Sequence, residues 1–171
     1  KVVFRFYPKF QKQMKASSIS QIKKELKYAS KEELIEIVLR IGKYKVENKE
    51  LLSYLLFDSS DEQGYIDKIK VYMDFQFEIV NRENYYFIKK SVRKILRVTK
   101  RFIKYSKNIE TETTLLIHFC KNLEEMDPSY KYNQVLLNMY FRQLNLIEKN
   151  LEKMHEDLSY DFRIEVDLLI K

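Results

Sequence analysis

An all-α architecture, about seven helices in antiparallel pairs forming a helical bundle or short α-α superhelix, follows from the chain's punctuation and periodicity. Its 171 residues hold only two glycines, Gly42 and Gly64, and two prolines, Pro8 and Pro128. Sheets and tight turns draw on those residues for positive φ and fixed bends, whereas helix interiors are weakened by them. Between these sparse breaks, apolar residues recur at spacings of three and four, and Ser, Asn and Asp stand where helices would open. A chain of this length buries roughly 70% of the surface it exposes when unfolded, so its core needs no covalent staple.

Residues 1–15 are expected to be an extended basic arm outside a single helical domain spanning residues 16–171. In the arm, Val2, Phe4 and Phe6 alternate with Val3, Arg5 and Tyr7 until Pro8 ends the pattern. Ser18 or Ser20 can cap a short helix through Ile22 and Leu26. Ser30-Lys31-Glu32-Glu33 has capping-box spacing and opens a helix carrying Leu34, Ile37, Val38 and Ile41, stopping near Gly42. A third helix is expected over residues 46–57 around Leu51, Leu52, Leu55 and Leu56. Ser60-Asp61-Glu62-Gln63 reads as a second capping box, before Ile66, Ile69, Met73 and Val80. Asn81 separates that helix from a basic one, and a further helix over residues 108–126 carries Leu116, Phe119, Cys120 and Leu123.

Asp127-Pro128 marks the sharpest boundary, since aspartate caps well and proline is tolerated at the first helical position. One rod of about 45 Å is expected to follow, to about residue 158. Leu137, Tyr140, Leu144, Ile147, Leu151, Met154 and Leu158 alternate spacings of three and four along it, the coiled-coil period. Such a stripe packs either against the chain's own helices or against a second copy. Residues 160–171 fit a strand by Phe162, Ile164, Val166 and Leu168, or a helix by Leu158, Phe162, Val166 and Leu169. The helical neighbourhood favours the helix.

Charge is placed unevenly. Formal charges are +7, −4, +9 and −5 for residues 1–28, 29–81, 82–107 and 108–171. Residues 82–107 set ten basic side chains against a single acid, Glu83, and hold four of the chain's eight arginines. On a helix, Lys89, Lys90, Arg93, Lys94, Arg97, Lys100, Arg101 and Lys104 spread over one broad face, with Ile88, Val92, Ile95, Leu96, Thr99, Phe102 and Ile103 opposite. Arg93, Arg97 and Arg101, four apart, make one ridge. Aromatic residues beside cations suit single-stranded nucleic acid, and Tyr86 lies in phase with the lysines while Tyr85 turns to the apolar side.

Near the start, Ser20-Gln21-Ile22-Lys23-Lys24-Glu25-Leu26 and then Ser30-Lys31-Glu32-Glu33-Leu34-Ile35-Glu36 resemble a group of small, functionally uncharacterised helical bacterial proteins. The resemblance covers about the first third of the chain. It implies a bacterial origin and an all-helical fold, and it carries no site residue.

Catalytic sets are hard to assemble from these residues. With two glycines, no loop can cradle a nucleotide phosphate. Glu152-Lys153-Met154-His155 is half of a di-iron motif, but the other histidine, His118, has Leu115 three residues before it, so no metal site is expected. His118 and Cys120 fall on different helix faces and cannot meet as an imidazole–thiolate pair. Neither histidine has an arginine four to six residues before it, which excludes one helical ribonuclease motif. The carboxylate pairs Glu124-Glu125, Asp157/Asp161 and Glu165/Asp167 sit among solvated charges. The lone cysteine, Cys120, cannot form an internal disulfide, so a reducing, cytoplasmic setting is expected. No run approaches the 18 or so apolar residues needed to cross a bilayer, so no membrane insertion is expected.

The sequence therefore points first to a non-enzymatic interaction module with an unknown protein partner or itself, through Leu137, Tyr140, Leu144, Ile147, Leu151 and Met154. The alternative is binding of RNA, DNA or another polyanion through residues 82–107, along Arg93, Arg97, Lys100, Arg101 and Lys104. No cofactor is expected. An enzyme without a recognisable motif and a membrane-surface role rank below both.

Overall fold

The computed structural model describes residues 16–169, of which 81% are helical and none is in a strand. Eight α-helices run in order: α1 (Ile19–Leu26), α2 (Lys31–Tyr44), α3 (Val46–Ser53), α4 (Glu62–Glu78), α5 (Tyr85–Ser106), α6 (Ile109–Glu124), α7 (Gln134–Leu151) and α8 (Glu156–Leu169). A π-helical turn, Tyr54–Asp58, continues α3, and a 3-10 turn, Tyr130–Tyr132, precedes α7. The chain is thus all-α, close to the expected helix number, and the ambiguous C-terminal segment is helical through Leu169. The arm expected at residues 1–15 lies outside the described residues.

Two compact units divide the chain, Lys1–Lys49 and Glu50–Lys171, where the sequence suggests one domain from residue 16. The boundary falls inside α3, so no proline, glycine or serine cluster announces it.

In the first unit, both helices open on capping boxes. Ser18 Oγ accepts from the Gln21 N–H at 3.3 Å, and Ser30 Oγ accepts from the Glu33 N–H at 3.2 Å. The Gln21 and Glu33 side chains accept in return from the two serine N–H groups, at 3.0 and 2.7 Å. Caps of this kind contribute about 1 kcal/mol each. Packing contributes less here, because no described residue of α1 or α2 is buried.

The second unit is built round α6, which packs against α4, α5, α7 and α8. Leu115, Leu116, Phe119, Cys120 and Leu123 of α6 are wholly buried. They meet Ile69, Met73 and Phe77 of α4, Ile88, Val92 and Ile95 of α5, Leu136, Ile147 and Leu151 of α7, and Val166 of α8 in one apolar cluster. Each such side chain contributes roughly 1.5–3 kcal/mol on burial, so this cluster outweighs any cap.

Three helix boundaries differ from expectation. The third helix passes into the π turn at Tyr54, and Leu55 and Leu56, expected inside, are exposed while Tyr54 is buried. Tyr54 stacks near Tyr65 at 4.7 Å between centroids, and the wider turn rotates the following leucines outward. For α4 the N-cap is Asp61, which accepts from the Gly64 N–H at 3.0 Å, rather than Ser60. Most consequential, residues 128–158 are not one rod. The Asp127–Pro128 bond is cis, and α7 opens only at Asn133, whose Oδ1 accepts from the Val135 and Leu136 N–H groups. It ends at Leu151, so its 18 residues span about 27 Å.

The spacing of three and four runs across that break, with Met154 in the turn and Leu158 in α8. Tyr140, Leu144, Ile147 and Leu151 are buried, and Leu137 and Met154 are half-buried against the same core. The residues assigned to self-association are therefore covered by the chain itself, as α7 packs on α6 and α8. Periodicity reports that a face is buried. It does not report what buries it.

Candidate polyanion interface

Helix α5 opens where Asn84 Oδ1 accepts from the N–H groups of Tyr86 and Phe87, at 2.9 and 3.3 Å. Its rotation is set by burial of Ile88, Val92, Ile95, Val98, Thr99 and Ile103. Two hydroxyls fix it further: Tyr85 donates to the Ser129 carbonyl at 2.8 Å, and Tyr65 donates to the Phe102 carbonyl at 3.1 Å. The opposite face is left to Tyr86, Lys90, Arg93, Lys94, Arg97 and Lys104, all exposed.

Along the N-terminal part of this face lies an open groove of about 810 Å³, lined by Asn81, Tyr86, Phe87, Ser91 and the cations Lys89, Lys90, Arg93, Lys94 and Arg97. No carboxylate lines it. Elsewhere four cations are ion-paired: Lys68 with Asp58, Arg101 with Glu50, Lys121 with Glu165 and Arg163 with Glu148. Among the described residues none of the five groove cations has such a partner. Lys89/Arg93, Lys90/Lys94 and Arg93/Arg97 instead stand four apart, and like-charge pairs at that spacing cost about 0.2–0.5 kcal/mol each. From Lys89 to Arg97 the axis rises about 12 Å, close to the Debye length of about 10 Å at 0.1 M salt, so the five charges act together.

The C-terminal part of the expected face is different. Lys100 is half-buried, and burial holds its ammonium below the ordinary lysine range, against the pull of Glu112. Arg101 Nη2 donates to Glu50 Oε1 at 3.0 Å and its Nε lies 3.0 Å from Oε2, while the Tyr105 hydroxyl donates to Oε2 at 2.9 Å. The ridge drawn through Arg93, Arg97 and Arg101 therefore breaks at Arg101, and Lys104 stands exposed beyond the groove. Of the eight cations on the predicted face, five share one surface. Glu50 lies 51 residues from its partner, and no sequence pattern at that separation marks the pair. The groove residue Asn81 carries no such signal in the sequence either, since it lies before α5 and the path of the chain brings it alongside.

Other reactive side chains are spoken for. His118 Nε2 lies 2.6 Å from Asp74 Oδ1, which also accepts from Asn122 Nδ2 at 2.9 Å. Cys120 is buried, and burial, with the Glu124 charge adding, pushes its thiol up to about 12, so it is not a thiolate nucleophile. His155 lies on an exposed turn, its Nδ1 accepting from the Asp157 N–H at 3.4 Å. Among the described residues, no group of three or more His, Cys, Asp or Glu could hold a metal ion, and no helix is long and apolar enough to cross a membrane.

Compared with protein-family models, curated proteins and solved structures, the chain has no significant match.

Proposed function

We propose that this chain is a non-enzymatic helical interaction module whose ligand is a phosphate- or sulfate-rich polyanion, held along Lys89, Lys90, Arg93, Lys94 and Arg97. One observation carries the reading: five cations share one groove that contains no carboxylate, and among the described residues none of the five is ion-paired. Such a cluster repels itself and stabilises nothing inside the protein, whereas a polyanion would neutralise it and release counterions. The rigid mounting of α5 adds support, since a fixed row of charges loses little freedom on binding. The unpaired Cys120 favours a reducing setting, and we place the protein in the cytoplasm.

Retention on immobilised heparin tests the reading. The wild type should bind at about 50 mM salt and elute on a gradient, and Arg93→Gln/Arg97→Gln should elute at clearly lower salt. Lys153→Gln, an exposed lysine elsewhere, should elute with the wild type. A wild type that passes straight through removes the reading.

A further inference from the structure

Tyr86 is 68% exposed, and Phe57, Tyr132 and Tyr160 of the same unit are exposed too, but among the described residues it is the one exposed aromatic ring that lines the cationic groove. It lies in the groove with the five cations. Tyr86, Lys90, Arg93 and Arg97 are spaced four, three and four, so the ring heads a single stripe of cations along the helix. Its backbone is fixed, because its N–H donates to the capping Asn84 side chain. Phe87, half-buried, meets it edge-on with 5.4 Å between ring centroids. Among the described residues its hydroxyl has no hydrogen-bond partner, so the ring is held by no polar contact of its own.

From this geometry we infer that the polyanion is a single-stranded nucleic acid, with one base stacked on the Tyr86 ring and the following phosphates on Lys90, Arg93 and Arg97. The inference rests on the proposed polyanion site and names its ligand. A duplex keeps its base faces inside the stack and offers an exposed tyrosine only backbone. A sulfated polysaccharide or an anionic lipid has no planar face at all. Single strands supply both groups that the stripe is matched to, planes for the ring and phosphates for the cations. Stacking is tolerant of base identity, so the site would bind without strong sequence preference.

The test is a titration of the whole chain against a labelled single strand of roughly ten nucleotides, as oligo-U and as oligo-dT, beside a duplex of equal length and a heparin fragment. Tyr86→Ala should weaken both single strands about tenfold, leaving duplex and heparin unchanged, and Tyr86→Phe should keep wild-type affinity. The chain has no tryptophan, so Tyr86→Trp adds a sole indole reporter whose emission should be quenched by the single strand and not by heparin. If Tyr86→Ala binds single strands as the wild type does, or the indole emission of the Tyr86→Trp variant stays unquenched while binding occurs, the stacking inference is overturned and the polyanion site stands. If the wild type binds none of the four ligands, both fall.

Discussion

Glu62 joins four helical segments. Its carboxylate accepts from Tyr54 of the π turn at 2.9 Å, from Ser106 at the end of α5 and from Thr111 in α6. Burial pushes the carboxyl up, but the three hydroxyl donors outweigh it and hold the group below its ordinary value of 4.5. A lowered folded-state pKa stabilises the protein above the ordinary carboxylate range, and that stability is lost as pH falls through the folded value. Glu62→Gln should cost about 2 kcal/mol at neutral pH by losing charge-assisted bonds, and should flatten the acid limb of the stability–pH curve. Equal acid sensitivity in mutant and wild type by denaturant titration would contradict this. Lys107 closes α5 with φ 58°, the only positive φ of a non-glycine residue among the described residues. Glycine takes that conformation without the Cβ clash, so Lys107→Gly should stabilise by about 0.5–1 kcal/mol, read from the denaturation midpoint.

At the scale of the element, α5 and α7 show what periodicity reveals and what it conceals. The buried side of α5 is legible because Ile88, Val92, Ile95, Thr99 and Ile103 recur at helical spacing, and each is buried. The outward face is legible only as a face. Its division into five free cations and the committed Arg101 depends on Glu50, brought close by the fold rather than by the local sequence. Relieving like-charge contacts should therefore help the helix: Arg93→Gln/Arg97→Gln should leave the melting temperature unchanged or raise it slightly at low salt, an effect that added salt erases. In α7 the pattern marks a buried apolar face but overstates its length, since the spacing runs on through Met154 and Leu158, past the end of the helix at Leu151. Because Leu144 and Leu151 are buried in the chain's own core, Leu144→Asp and Leu151→Asp should unfold it, by circular dichroism, rather than yield a folded monomer from a dimer.

Over the whole molecule, the helical class is legible because composition constrains it everywhere at once, while the division into Lys1–Lys49 and Glu50–Lys171 is not, for it lies within a continuous helix. The second unit holds all the buried residues of the apolar cluster, so residues 50–171 alone should keep a cooperative thermal transition; its loss would show that the first unit is required for folding. The central claim is that the free cations of the N-terminal part of α5 are the binding surface. Affinity for a duplex measured against salt tests it most directly. Five phosphate contacts predict a log–log slope of about −4.5, and removing two charges in Arg93→Gln/Arg97→Gln should shallow it by about 1.8. Arg101→Gln, which empties the Glu50 pair instead, should leave the slope in place and lower stability. A slope that responds to Arg101→Gln but not to Arg93→Gln/Arg97→Gln, or no binding at about 50 mM salt, would contradict the claim.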